Sequence, residues 1–213
     1  MSVGTAHCAE VTAHAQVTVS GGKRASNSGV VVWLQPAYLV SAAKPSHFRL
    51  VQKDKKFTPH LLVIPLGSTV DFPNLDPFFH NVFSQFNGKR FDLGLYEAGS
   101  TKAVRFDHEG VSYIFCNIHP EMSAVVIALA TPYVAESAAD GSVVIHDVPE
   151  GDYELHVWAE GADTQQLQAF TRTVRVRSSQ TDLGDIHITR SSDVLAHKNK
   201  FGEDYKPSEN TLY

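Results

Sequence analysis

Cys116, His119 and Met122 follow one another at intervals of three, directly after the strand-like run Val111, Ser112, Tyr113, Ile114, Phe115. A soft thiolate, a borderline imidazole and a weak thioether suit copper as it cycles between its two oxidation states. In such a set two histidines and one cysteine lie near a plane and the methionine stays distant. A second histidine is therefore required. His80, in Pro77, Phe78, Phe79, His80, Asn81, is the candidate, because it stands where one strand region breaks and another begins. Zinc chemistry is disfavoured: cysteine, two histidines and methionine make a poor zinc set, and no general base is evident beyond Glu121.

These donors need elements that aim them. Side chains alternate along a strand, so Cys116 shares a face with Ile114, while Tyr113 and Phe115 share the other. If Ile114 faces a core, the thiol does too, and the loop Asn117 to Met122 curls back to present His119 and Met122. The residues expected around the ligands are Asn81, Asn117, Pro120 and Glu121. Asn81 carries a short amide able to cross-link the two ligand loops, and outer bonds of this kind fix ligand direction. Pro120 lacks an amide hydrogen and restrains the backbone after His119. Glu121 places an acidic group beside the site.

Strand signals dominate the rest of the chain, with short β-branched and aromatic runs broken by Gly, Pro, Asn and Asp, so the expected class is all-β. The chain has 213 residues with 43% hydrophobic content, enough for one large or two small cores. Strands expected between Phe48 and Leu129, including one over Val82 to Phe86, suffice for a sandwich over 46–131, with Lys89 to Ser100 as an irregular crossing connection. The flanking sets are incomplete: Gln16–Ser20 and Gly29–Leu34 on one side, and four strands after Asp140 on the other. They are expected to pair into a discontinuous small sandwich, 15–38 plus 134–190, or to pack as extensions on the central one. Segments 1–14 and 191–213 read as flexible or extended ends.

A net charge of −5 with scattered basic residues gives no footprint for nucleic acid. No apolar run reaches membrane-span length. With two cysteines, Cys8 and Cys116, the one possible intrachain disulfide would consume the ligand, so none is expected. Cys8 is open to reading as a mobile-end residue, a lipid-attachment remnant, an intermolecular thiol or part of a second metal site with His7 and His14. A copper–thiolate site fits an exported protein, and the expectation is a leader already removed.

The segment from Phe48 to Leu129 resembles the cupredoxins, the type 1 blue copper proteins. Its Cys-x-x-His-x-x-Met spacing, with His followed by Pro, is similar to that of amicyanins. The run His80, Asn81, Val82 looks like the upstream motif of plastocyanins and amicyanins. Phe72, Pro73, Asn74 and Cys116, Asn117, Ile118, His119 are also similar to bacterial plastocyanin-like methylamine-utilisation proteins. The ends resemble transthyretin-like or carboxypeptidase-regulatory-like sandwiches through Gly151, Asp152, Tyr153 and Trp158.

The resemblance implies a Greek-key sandwich holding one type 1 copper through His80, Cys116, His119 and Met122, and a periplasmic single-electron carrier rather than an enzyme. It implies docking near His119, framed by Ile118, Pro120, Phe78 and Phe79, with a redox partner such as a c-type cytochrome or a dehydrogenase. Glu121 departs from the amicyanin pattern, which has an aromatic residue there. Phe115 and Asn117 stand where copper oxidases and nitrite reductases place a histidine beside the copper cysteine. The alternative is a copper carrier or storage protein, which His60, His108, His146 and the His7, Cys8, His14 group would favour if several ions bound.

Overall fold

Small apolar residues alternate with polar ones at the start of the described chain, and this period-two pattern makes its first strand. The computed structural model describes residues 8–37, 43–85, 88–177, 180–191 and 198–205. Strand β1 (Cys8–Val19) turns Ala9, Val11, Ala13, Ala15 and Val17 into a core. It is followed by β2 (Lys23–Arg24) and β3 (Val30–Pro36). Ten strands come next: β4 (His47–Arg49), β5 (Val51–Lys53), β6 (Lys56–Thr58), β7 (Leu61–Pro65), β8 (Thr69–Pro73), β9 (His80–Ser84), β10 (Phe91–Tyr96), β11 (Thr101–Arg105), β12 (Gly110–Phe115) and β13 (Ser123–Leu129). The last stretch holds β14 (Val134–Glu136), β15 (Ser142–Pro149), β16 (Gly151–Ala159), the short helix α1 (Thr164–Ala169), β17 (Arg172–Val176) and β18 (Thr181–Arg190).

The chain forms two compact units, Met1–Ser41 with Thr131–Val194, and Ala42–Ala130 with Leu195–Tyr213. In the first, β1 lies between β15 and β18, and a second sheet runs β14-β3-β16-β17. β1 pairs parallel to β18, and β3 pairs antiparallel to β16, so both ends of the chain supply the same two sheets. Their apolar faces share one core that includes Val11, Val32, Leu34, Tyr153, Leu155 and Ile186. Each large aliphatic side chain buried there contributes roughly 1.5–3 kcal/mol.

The second unit packs the sheet β10-β9-β12-β13-β7 and the sheet β11-β8-β4 around a core that includes Phe72, Val82, Phe106, Ile114 and Val126. Phe115 on β12 pairs with Phe83 on β9, which makes the strand before Cys116 a neighbour of the strand that His80 opens. The protein is thus all-β, built from stacked sheets.

Four sequence expectations need correction. The first strand begins at Cys8 rather than Gln16, because its inward residues are mostly alanines, whose small side chains give a weak strand signal. Residues 8–14 are therefore ordered strand, while 1–7, His7 included, lie outside the described residues. The stretch expected as an irregular crossing contains β10, an edge strand whose register shifts between Asp92 and Leu95 around Gly94, at φ +64°. A bulge of this kind breaks the alternation that reading by period depends on. The strand expected over Val82 to Phe86 spans His80–Ser84; Phe86 is outside the described residues. Within the expected flexible end, 198–205 is built into the second unit by hydrogen bonds described below, while 192–197 and 206–213 lie outside the described residues.

Candidate metal centre

β12 ends at Phe115, and its alternation settles where the next side chain goes. Ile114 and Cys116 are both fully buried in the core of the second unit, whereas Tyr113 and Phe115 stack on the opposite face with ring centroids 6.5 Å apart. The loop that follows is closed by its own backbone: Cys116 N–H donates to the Met122 carbonyl at 3.3 Å, and Met122 N–H to the His119 carbonyl at 3.1 Å. This returns Met122, fully buried, to the cluster that holds Cys116.

His80 opens β9 from the adjacent strand, and the three donors converge. Nδ1 of His80 lies 3.1 Å from Nδ1 of His119, and the Cys116 Sγ lies 3.9 Å and 3.7 Å from those nitrogens. The three atoms fall on a circle of radius about 2.1 Å, inside the ~2.0–2.3 Å range of metal bonds to imidazole and thiolate. This donor set fits a single soft-to-borderline ion. The 3.1 Å separation is also a hydrogen-bond distance.

Burial pushes the Cys116 thiol up, while the backbone N–H groups of Asn81, Ile118 and His119 act in the opposite sense; the net direction is upward. The metal-free sulfur is a neutral thiol whose proton a cation must displace. Burial, then the charges of His80 and Lys55, push His119 down, which favours the neutral imidazole that a metal requires. Glu121 is exposed, and its charge raises thiol and imidazole alike, adding to the upward push on Cys116 and opposing the downward one on His119. Pro120 is exposed at the turn after His119.

Asn81 links the two ligand loops: its Oδ1 accepts the Asn117 N–H at 3.2 Å, and its Nδ2 donates to Asp92 at 2.8 Å. Asn117 turns its own Oδ1 away from the ligands to accept the Lys200 N–H at 2.9 Å.

Asp76 is the residue that reading the sequence missed. Its carboxylate, 5% exposed, lies 2.7 Å from Nε2 of His80. It also accepts the N–H groups of Asp54 at 2.7 Å and Lys55 at 3.0 Å. Burial pushes Asp76 up, but the Lys55 N–H, His80 and the Asp54 N–H outweigh it and hold the group below 3.8. Because the carboxylate only accepts, Nε2 of His80 must carry the hydrogen, which leaves Nδ1 facing Cys116 and His119. Asp54 and Lys55 form the two-residue turn between β5 and β6, both at φ +54°, a conformation that costs roughly 1 kcal/mol or more for a residue with a Cβ. The spacing of four residues between Asp76 and His80 was visible in the sequence, but nothing local marks the Asp54–Lys55 turn as its support.

Around the site, the Phe78 ring packs 5.2 Å from His80 and 5.7 Å from His119. The fully buried Asn74 holds that loop by donating to the Phe78 carbonyl at 2.8 Å and accepting the Asp76 N–H at 3.1 Å. His119 is half-buried, while Leu75, Phe79 and Ile118 are 54%, 51% and 44% exposed. The other histidines named as possible donors lie elsewhere: His14 near Asp185, His108 on Asp107, His146 on Glu10, and His60 on the Ser123 carbonyl. Cys8 is exposed at the start of β1 and forms no disulfide with Cys116.

No family model and no curated protein matches the sequence. Among solved structures, the chain is similar to a purple cupredoxin from Nitrosopumilus maritimus, with 27% identity, 38% of this chain and 98% of the other covered, and a TM-score of 0.34. It is similar to a copper-containing nitrite reductase from Thermus scotoductus at 24% identity, over 45% of this chain and 25% of the other, with a TM-score of 0.38. The corresponding values for amicyanin from Paracoccus versutus are 23%, 45%, 91% and 0.36. These structural neighbours, amicyanin among them, are mostly cupredoxins, and each alignment covers less than half of this chain.

Proposed function

We propose that this protein binds one copper ion, which His80, Cys116, His119 and Met122 would hold, and carries single electrons. The observation that carries the proposal is the triangle of two imidazole nitrogens and one sulfur, of a size that suits one ion. Copper would supply the one-electron couple.

The chain's own part is to keep the donors still. The far nitrogen of His80 is tied to Asp76, and backbone N–H groups surround the Cys116 sulfur. Phe115 and Asn117 flank the cysteine, and neither offers a nitrogen ligand toward a second metal, which supports electron carriage over multi-copper catalysis. Half-buried His119 is the route in and out. Leu75, Phe79 and Ile118 supply an apolar surface for brief docking with a redox protein such as a c-type cytochrome or a dehydrogenase. Export to the periplasm is part of the same proposal and rests on the redox chemistry of a copper–thiolate pair.

Storage of several ions draws no support from the described residues, where the grouped donors are His80, Cys116 and His119, and His14, His60, His108 and His146 lie apart from them near carboxylates or backbone. Cupric titration followed by visible absorption and electron paramagnetic resonance tests the proposal. One equivalent should give an intense thiolate band with narrow copper hyperfine splitting. Several equivalents with only weak d-d bands would overturn it.

A further inference from the structure

The peptide that joins Cys116 to Asn117 has both of its polar groups engaged, and one partner comes from the far end of the chain. Its N–H goes to Asn81, as described; its carbonyl accepts the hydroxyl of Tyr205 at 2.7 Å. Tyr205 closes a segment that is itself shaped by Asn199. The side-chain oxygen of Asn199 accepts the N–H groups of Phe201 at 2.9 Å and Glu203 at 3.0 Å, its backbone N–H donates to the Glu203 carbonyl at 2.9 Å, and Gly202 makes the turn at φ +78°. The folded-back segment presents Lys200 to the metal-binding unit three ways. Its N–H reaches the Asn117 side chain, its carbonyl accepts from Gln85, and its ammonium bonds Asp92 at 2.8 Å.

These bonds close a ring. Asn117 donates to Asn81, Asn81 to Asp92, Lys200 to Asp92, and Lys200 again to Asn117. The ring takes residues from β9, β10, the ligand loop and the tail, and the Tyr205 bond lies beside it. A dangling end would show neither the internal turn nor contacts with one ligand-bearing peptide from both sides.

We infer that residues 198–205 form a strap belonging to the metal centre, with Tyr205 and Lys200 as positioning residues that fix the Cys116–Asn117 peptide and thereby limit opening of the ligand loop. Both the access of reagents to the thiol and the escape of a bound ion require that loop to open, so the strap sets the rate of each. The inference rests on the copper reading for the second consequence but not for the first.

The test uses the full chain carrying Cys8→Ser, so that Cys116 is the reacting thiol. In the metal-free protein, Tyr205→Phe should speed modification of Cys116 by an aromatic disulfide reagent about three- to tenfold, the span expected for loss of one net hydrogen bond, and Asn199→Ala, which removes two, at least as much. Copper release to a chelator should accelerate by a similar factor. Asn199→Ala touches no residue of the ligand loop, so an effect there shows that the folded strap, rather than the phenol alone, does the holding. Rates within twofold of the parent for both variants, with melting temperatures unchanged, would overturn the inference. Failure of the parent chain to give a thiolate band with cupric ion would instead overturn the copper reading and leave the thiol-labelling result standing.

Discussion

Replacing Asp76 with asparagine tests whether the carboxylate behind His80 is what aims its Nδ1. In the structure one oxygen accepts from Asp54, and the other from both Lys55 and His80. An amide offers a single acceptor. If that oxygen stays with Lys55 and His80, the NH2 group is pressed against the Asp54 N–H; if it turns to Asp54, two donors are orphaned. The better placement leaves one buried donor unsatisfied, at about 1–3 kcal/mol, and downgrades a charge-assisted bond to His80 by roughly 1 kcal/mol. A stability loss of about 2–4 kcal/mol follows, read as a shift in denaturant midpoint. Copper affinity, measured by chelator competition, should fall tenfold to a hundredfold, the usual cost of losing the partner that orients a metal-bound histidine. Nitrogen-15 spectra of the metal-free protein supply a separate readout: His80 should hold its hydrogen on Nε2 in the parent and lose that fixed tautomer in the variant. An unchanged affinity together with an unchanged tautomer would refute the reasoning.

Three other outcomes are expected. Cys116→Ser should abolish the visible band while circular dichroism stays that of the parent; a band that persisted would move the thiolate to Cys8. Replacing Asp54 and Lys55 with Asn and Gly should relieve the two positive-φ positions and stabilise the protein by about 1 kcal/mol while keeping the two N–H donors to Asp76, so the His80 tautomer seen in nitrogen-15 spectra should not change. Burial pushes Asp92 up, but Lys200, the Gly94 N–H and Asn81 outweigh it and hold it below 3.8, so its contribution is present above that pH and lost as pH falls further. Lys200→Met should therefore be less stable than the parent at pH 7, with the gap narrowing in denaturation measured at successively lower pH below the usual carboxylate range.

The difference between what could be read early and late is visible in the ligands themselves. Cys116, His119 and Met122, three of the proposed donors, are near neighbours in sequence, and the alternation of β12 aims the thiol inward, so this part of the proposed site is local and legible. Asn81 as a link between the loops follows from its place beside His80 and its short amide. The alanine-rich β1 and the bulged β10 were obscured for the opposite reason, since side-chain size and register, which carry the strand signal, are weak or broken there.

By itself the sequence determined an all-β chain and a soft donor set with the spacing of a single-ion site, because periodicity and ligand spacing are properties of a few consecutive residues. Only the tertiary structure decided that Asp76 rests on the Asp54–Lys55 turn, that His80 Nδ1 comes within 3.1 Å of its counterpart on His119, and that Tyr205 reaches back to the Cys116 carbonyl. Those contacts join residues about 20 to 90 positions apart. No local pattern encodes them: they exist because packed sheets and a returning tail bring polar groups together that would otherwise be buried without partners.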